Sequence, residues 1–132
     1  MCIIKFIKHQ KKNSMKLLSF AAVTLLIFTS ENTLVGKWSG KPSEKGNVTS
    51  VNFKADNTLE GFVNKKPFVS GTYNFNPVDS TIFFIDNGCN GVSAVYKILF
   101  YSNSDSMRFQ VISDACEERK QGMQRLVMGK VK

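Results

Sequence analysis

Residues 91–101, GVSAVYKILFY, decide the fold of this chain, because their hydrophobicity alternates with a period of two. One set of alternate positions is wholly apolar, whereas the opposite set mixes polar and apolar side chains. This alternation indicates a β-strand with one face in a core and the other partly exposed, as in an antiparallel sheet. The apolar set consists of Val92, Ala94, Tyr96, Ile98 and Phe100.

The same period extends to both sides of this segment. Turn residues separate the alternating stretches, among them Asn87-Gly88, a dipeptide typical of tight turns. Helix is expected for at most a turn or two, within residues 115–121. The pattern predicts an all-β fold, an antiparallel up-and-down barrel of about seven or eight short strands, with a sandwich as the alternative. The predicted strands are 34–39, 47–54, 58–63, 68–75, 80–86, 91–101, 107–111 and 123–131.

The N-terminal part, residues 1–30, has the layout of a signal segment. It contains five lysines and no acidic residue, followed by the apolar run 17–28, LLSFAAVTLLIF. That run is too short to span a bilayer comfortably. We therefore predict a leader at residues 1–30, with Met15 as a second possible start, and a barrel domain at residues 31–132. The expected location is periplasmic, cell-surface or secreted, without a stable membrane span after leader removal; the alternative is an uncleaved, anchored N-terminus.

The charge balance does not indicate a nucleic-acid partner. The formal net charge is +8, but the leader holds five of the 18 Lys and Arg residues and none of the 10 acidic ones. From Glu31 onward, 13 basic residues oppose 10 acidic ones, which leaves only +3. No dense basic run occurs there, so we predict no nucleic-acid binding.

Two cysteines follow the leader, Cys89 and Cys116, since Cys2 falls within it. An even number in an exported chain predicts a disulfide. The bridge closes a loop of about 27 residues, for which loop-closure entropy suggests roughly 3–4 kcal/mol of stabilisation. A redox or nucleophilic thiol is the alternative, but the spacing is not Cys-x-x-Cys.

Residues suited to catalysis are scarce after the leader. The only histidine, His9, lies within it, which excludes most nucleophile-activating relays and many zinc sites from the domain. One acidic cluster occurs, Asp114, Glu117 and Glu118, beside Arg119 and Lys120 in a segment expected to be a solvated turn. Asp114 is expected to cap the turn that presents Cys116. We predict no catalytic residues, no metal site, no cofactor and no enzymatic activity.

Several motifs resemble the lipocalins, and more closely the small lipocalin-like domains of exported bacterial proteins. Gly36-Lys37-Trp38 is similar to the Gly-x-Trp signature of the first lipocalin strand, and residues 114–119 form an Asp-x-Cys-x-x-Arg pattern. The resemblance implies an eight-stranded barrel closed at one end by Trp38. It also implies that an arginine of the last strand, here Arg125, packs over the indole ring.

The expected function is non-enzymatic binding of a small apolar or amphipathic ligand by an exported protein. An eight-stranded barrel is just wide enough either to be packed or to hold one small ligand. The alternative is therefore a filled barrel that acts as a protein-interaction or inhibitor domain, with a partner the sequence does not identify. The candidate pocket residues share one face of adjacent strands: Val92, Ala94, Tyr96, Ile98, Phe100 and Phe109.

Overall fold

The alternating segments pair into a closed barrel of eight antiparallel strands, which confirms the predicted fold class. A computed structural model describes residues 33–132, so the predicted leader lies outside the described residues. One α-helix, α1, precedes the last strand, and a short 3-10 helix follows the fifth. The strands are β1 Gly36–Gly40, β2 Thr49–Phe53, β3 Thr58–Val63, β4 Lys66–Asn76, β5 Thr81–Asp86, β6 Ser93–Tyr101, β7 Ser106–Asp114 and β8 Val127–Lys130; α1 spans Glu117–Arg125 and the 3-10 helix Asn87–Cys89.

Each strand pairs with the next in the chain, and β1 pairs with β8 to close the barrel. The register therefore sorts strand termini into two ends. One end, which we call the open end, carries the last residues of β5 and β7, Asp86 and Asp114, together with α1. The opposite end, the Trp38 end, carries the first residue of β1 and the last of β8.

The helix is longer than the sequence predicted, and the last strand is shorter. Residues 117–125 form one α-helix where a brief turn and then a strand were expected, so the prediction of a strand over 123–131 was wrong at its start. The sequence EERKQGMQR explains the difference, because Glu, Arg, Lys and Gln favour helix. Glu117 and Glu118 lie in the first turn and Arg125 in the last, as the helix dipole favours.

The β3–β4 connection is tighter than predicted. The sequence suggested a turn over residues 64–67, but β4 already begins at Lys66. Asn64 and Lys65 both have positive φ, 54° and 67°, as a two-residue hairpin turn of the primed type requires. The hairpin therefore extends at the open end and brings Phe68, which is 69% exposed, to its rim.

The Trp38 end is closed by packing around the indole. Trp38 is fully buried, and its Nε1 donates a hydrogen bond to the carbonyl oxygen of Leu34 at 2.9 Å. The cation over its ring is Lys130, whose Nζ lies 5.3 Å from the ring centroid and donates to the carbonyls of Thr33 and Val35. Arg125, the expected partner, ends α1 and is exposed. The predicted Arg125 contact was therefore wrong, because this residue lies on a helix that runs across the other end.

The core fills the barrel from the Trp38 end toward its middle. Aromatic side chains contact one another there, including Phe53 against Tyr73 with ring centroids 5.1 Å apart. Within residues 33–132, no helix is both long and apolar enough to cross a membrane. The buried apolar side chains are Leu34, Trp38, Phe53, Leu59, Tyr73, Ile82, Phe84, Ala94, Tyr96, Ile98, Met107, Phe109 and Met128.

Candidate functional site

A cavity of about 390 Å³ occupies the open end of the barrel. It penetrates the interior between β2, β3, β5, β7 and β8, where inward-facing side chains of these strands form its wall. Because successive inward positions of a strand are two residues apart, the wall descends along β5 from Asp86 through Phe84 to Ile82. The deeper wall is apolar and consists of Phe53, Leu59, Ile82, Phe84, Phe109 and Met128.

The mouth of the cavity lies between α1 and the β3–β4 hairpin. Gly122 faces it from the helix, and a Cβ at this position would have no atom within 4 Å other than those of the adjacent helix backbone. Glu118 is the exposed acidic residue of the rim. Apolar side chains of the two elements otherwise form the mouth: Phe62, Val63, Phe68, Val69, Met123 and Leu126.

Of the six predicted pocket residues, the structure places only Phe109 in the cavity wall. Val92 is exposed and precedes β6, so its predicted inward position was wrong. Ala94, Tyr96 and Ile98 face inward as expected, but they are buried in the packed part of the core.

Phe100 also faces inward, but it lies at the Trp38 end. Its ring centroid is 6.2 Å from that of Trp38 and 6.2 Å from that of Phe75. The face of β6 was thus predicted correctly, whereas its role as cavity lining was not. The physical reason is that aromatic packing fills the barrel on the β6 side and leaves the space on the β2–β3 side.

A buried polar network occupies the barrel wall beside the cavity, centred on Asp114, whose side chain is fully buried. Its Oδ2 accepts from the Tyr96 hydroxyl at 2.6 Å and from Arg119 Nε at 2.9 Å. Its Oδ1 accepts from Arg119 Nη2 at 2.8 Å and from the Cys116 amide at 2.9 Å. The last bond confirms the predicted capping role of Asp114. Both carboxylate oxygens are therefore fully engaged within the protein.

Arg119 crosses from α1 into this network and faces the cavity. Its guanidinium carbon lies 5.1 Å from the centroid of the Phe84 ring, and Nη2 also donates to the carbonyl of Val92 at 3.0 Å. The Arg119 side chain is only 9% exposed, so the expected solvated position was wrong. The reason is the ion pair with Asp114, which provides the charge compensation that burial requires.

Asp86 completes the polar part of the wall. Its Oδ1 accepts from the Gly88 amide at 2.9 Å and lies 3.4 Å from Arg119 Nη1. This ion pair does not have the alignment of a hydrogen bond, and Nη1 is buried without a hydrogen-bond partner among the described residues.

The network shifts the protonation equilibria of its members. Burial alone would raise the pKa of the Asp114 carboxyl, but hydrogen bonds from Arg119, Tyr96 and the Cys116 amide outweigh it, and the pKa is lowered. Burial raises the pKa of the Tyr96 hydroxyl, and its hydrogen bond to Asp114 adds to the effect. The hydrogen bond to Asp114 raises the pKa of Arg119 despite burial. At neutral pH the ion pair is therefore fully charged, and Tyr96 is a neutral donor.

The predicted disulfide between Cys89 and Cys116 is confirmed, and it borders the cavity. It joins the segment after β5 to the N-terminal end of α1, two connections at the open end. The acidic residues beside it have separate roles. Glu117 is exposed and pairs with Lys120 at 3.0 Å, whereas Glu118 lies at the cavity rim.

Sequence reasoning missed Asp86 and Arg119 as site residues. Asp86 continues the inward alternation of Ile82 and Phe84, and a charged residue in an inward position was an available signal. Arg119 follows Asp114 by five residues, a spacing that gave no indication of a buried pair without knowledge of the helix. No group of three or more His, Cys, Asp or Glu side chains within residues 33–132 is arranged to hold a metal ion.

Comparison with known proteins adds a fold relationship. No protein-family model matches this chain, and no curated protein matches it. A solved NMR structure of a protein from Bacteroides uniformis ATCC 8492 is similar, with a TM-score of 0.52 and 26% sequence identity. The similarity covers 76% of this chain and 90% of that one. It supports the barrel fold and brings no ligand or activity to this chain.

Proposed function

We propose that this chain is an exported, lipocalin-like protein that binds a small apolar or amphipathic ligand in the barrel without catalysing a reaction. The observation that carries the proposal is the apolar cavity of about 390 Å³ at one end of an otherwise packed barrel. Sites for small molecules are usually concave, apolar and about 300–1,000 Å³ in volume, with few polar groups. The cavity falls in the lower part of that range, so the ligand is small.

The asymmetry of the barrel supports the same function. Trp38 and Lys130 block one end, so a ligand enters past α1 at the other. A tryptophan on the first strand beneath a cation of the last strand also supports the lipocalin-like assignment, with lysine in place of the expected arginine. The alternative, a filled barrel that acts as a protein-interaction domain, has less support, because the interior is not filled.

The polar groups support binding rather than catalysis. The two cysteines of the described region form a disulfide, and Asp114 has no hydrogen-bonding capacity left for a substrate. Histidine is absent from residues 33–132. The disulfide fits an oxidising compartment, which supports export.

The test is binding of an environment-sensitive apolar dye to the folded protein. In Gly122→Leu, the added side chain extends from the helix at the mouth, where there is open space around the new Cβ. We expect this variant to lower dye affinity at least about fivefold, as overpacking of an occupied site does. Gln124→Leu is the matched control, since it adds a leucine to the same helix at an exposed position outside the cavity. No dye binding by the wild type, or equal losses in both variants, would contradict the proposal.

A further inference from the structure

The cavity wall contains a donor and an acceptor whose hydrogen-bonding capacity is unused. Nε and Nη2 of Arg119 are both engaged by Asp114, whereas Nη1 has no hydrogen-bond partner among the described residues. Asp86 Oδ1 accepts from the Gly88 amide, but no described group donates to Asp86 Oδ2. Asp86 Oδ1 lies 3.4 Å from Arg119 Nη1, so the carboxylate group that carries Oδ2 is beside the unused donor.

Burial makes this pair informative. The Arg119 side chain is 9% exposed and its Nη1 is buried without a partner, whereas Asp86, with a side chain only 6% exposed, has no fully buried oxygen that lacks one. Buried polar groups in folded proteins nearly always have partners, and an orphaned donor costs stability. A ligand that supplies both partners removes that cost, which makes the pair a polar anchor in an apolar cavity.

The charge of the surrounding groups selects the kind of ligand head. One guanidinium faces two carboxylates, Asp86 and Asp114, so the buried group has a formal charge of −1. Glu118 adds negative charge at the rim. A carboxylate head would meet like charges in a poorly solvated site, which is unfavourable. An ammonium head would suit Asp86 but would leave Nη1 without an acceptor.

An uncharged group that both donates and accepts satisfies the pair. We propose, resting on the binding function above, that the ligand is a neutral apolar molecule with a hydroxyl or carboxamide head. The head accepts a hydrogen bond from Arg119 Nη1 and donates one to Asp86. Asp114 holds Nε and Nη2 of the guanidinium in place, which leaves Nη1 beside Asp86 as the donor for the ligand.

The position of the pair also sets the ligand's orientation. Asp86 is the last residue of β5 at the open end, and Phe84 and Ile82 line successively deeper levels of the cavity. Phe53, the last residue of β2, lies deeper still, toward the Trp38 end. The head therefore stays near the mouth, and the apolar tail points toward Phe53.

Competition against a bound apolar dye tests the head preference with one chain length: 1-decanol, decanamide, decanoate and decylammonium at pH 7. Decanol partitions into any apolar site more readily than decanoate, so its higher affinity for the wild type alone decides nothing. The decisive comparison is the ratio of decanol affinity to decanoate affinity in the wild type against the same ratio in the variants. Asp86→Asn removes the charge and keeps the shape. We expect it to lower the decanol-to-decanoate ratio at least about tenfold, because the like-charge penalty disappears.

Asp79→Asn is the control for that substitution. Asp79 makes similar local bonds, to the Thr81 amide and hydroxyl, but in the β4–β5 turn at the Trp38 end. We expect the ratio in this variant to match the wild type. An Asp86→Asn ratio equal to that of the wild type overturns the neutral-head proposal.

Nuclear Overhauser contacts in the wild type provide a test that needs no variant. We expect the carbinol protons of decanol to contact Arg119 or Asp86, and the terminal methyl to contact Phe53. If decanol binds in the reverse orientation, the neutral-head proposal is overturned but binding in the cavity is not. The same holds if the dye binds and none of the four compounds displaces it. If neither the dye nor any of the four compounds binds, the proposed function itself fails.

Discussion

Replacing Asp114 by asparagine perturbs the centre of the polar network while preserving its shape. The carboxylate accepts four hydrogen bonds, two of them from Arg119, and its side chain is fully buried. Removing one partner of a buried ion pair costs about 3–5 kcal/mol. The carboxamide of the variant retains one acceptor oxygen and Asp86 still faces Nη1, so we expect about 3 kcal/mol, the lower end of that range.

That loss is large for a domain of this size. It corresponds to a fall in Tm of roughly 12–24 °C. Urea unfolding followed by the fluorescence of the buried Trp38 measures the free energy of unfolding directly. Asp105→Asn is the matched control, because Asp105 forms an exposed surface pair with Lys132. We expect that control to lose no more than about 1 kcal/mol.

The pH dependence adds a signature that a merely steric defect would lack. The folded-state pKa of Asp114 lies below its ordinary value of 3.8. Its contribution to stability is therefore present above pH 3.8 and is lost as the pH falls through the lower folded-state value. The difference between wild type and Asp114→Asn should consequently be full at pH 7 and shrink in strong acid. A constant difference from pH 7 down to acid, or a loss below about 1 kcal/mol at pH 7, would refute the reasoning.

Two further substitutions test the disulfide at the open end and the Lys130 contacts at the Trp38 end. Cys116→Ala removes the disulfide, and we expect the free energy of unfolding, measured in urea, to fall by about 2–4 kcal/mol. Reduced wild type should unfold like this variant. An unchanged urea midpoint in the variant would show that the disulfide does not stabilise the domain. Lys130→Met removes the cation over Trp38 and two hydrogen bonds, and we expect a loss of about 1–2 kcal/mol. Arg125→Ala serves as its control and should stay within about 0.5 kcal/mol of the wild type, as exposed substitutions usually do. A larger loss of stability in Arg125→Ala would instead favour Arg125 as the cation that packs over Trp38.

The sequence predicted the barrel because its strands alternate between a buried and an exposed face, as the buried residues Ala94, Tyr96 and Ile98 of β6 show. The length of the helix was underestimated because the sequence at its end fits two structures. Met123 and Leu126 both pack against the core at a spacing of three, which fits a helix, while the apolar residues of 126–128 also fit a short strand. Short apolar segments of this kind are ambiguous between the two structures.

The cavity could be predicted less well than the fold. Period-two alternation identifies which face of a strand points inward, but it does not say how far along the barrel a side chain lies or which side of the interior is filled. Tyr96 illustrates the limit. Its phenol stacks on Phe84, with centroids 5.8 Å apart, and donates to Asp114, so it fills the interior instead of lining a pocket. These contacts depend on pairings between distant segments that one strand's pattern does not contain.

The disulfide connects the stability of the barrel to the chemistry of its cavity. Cys89 follows Asp86 by three residues, and Cys116 precedes Arg119 by three, so the bridge fixes both members of the polar pair relative to each other. Asp114 adds a second restraint through its bonds to the Cys116 amide and to Arg119. Because these restraints meet at the open end, they hold the polar wall of the cavity in place. Preorganisation of this kind reduces the entropy that binding must otherwise overcome.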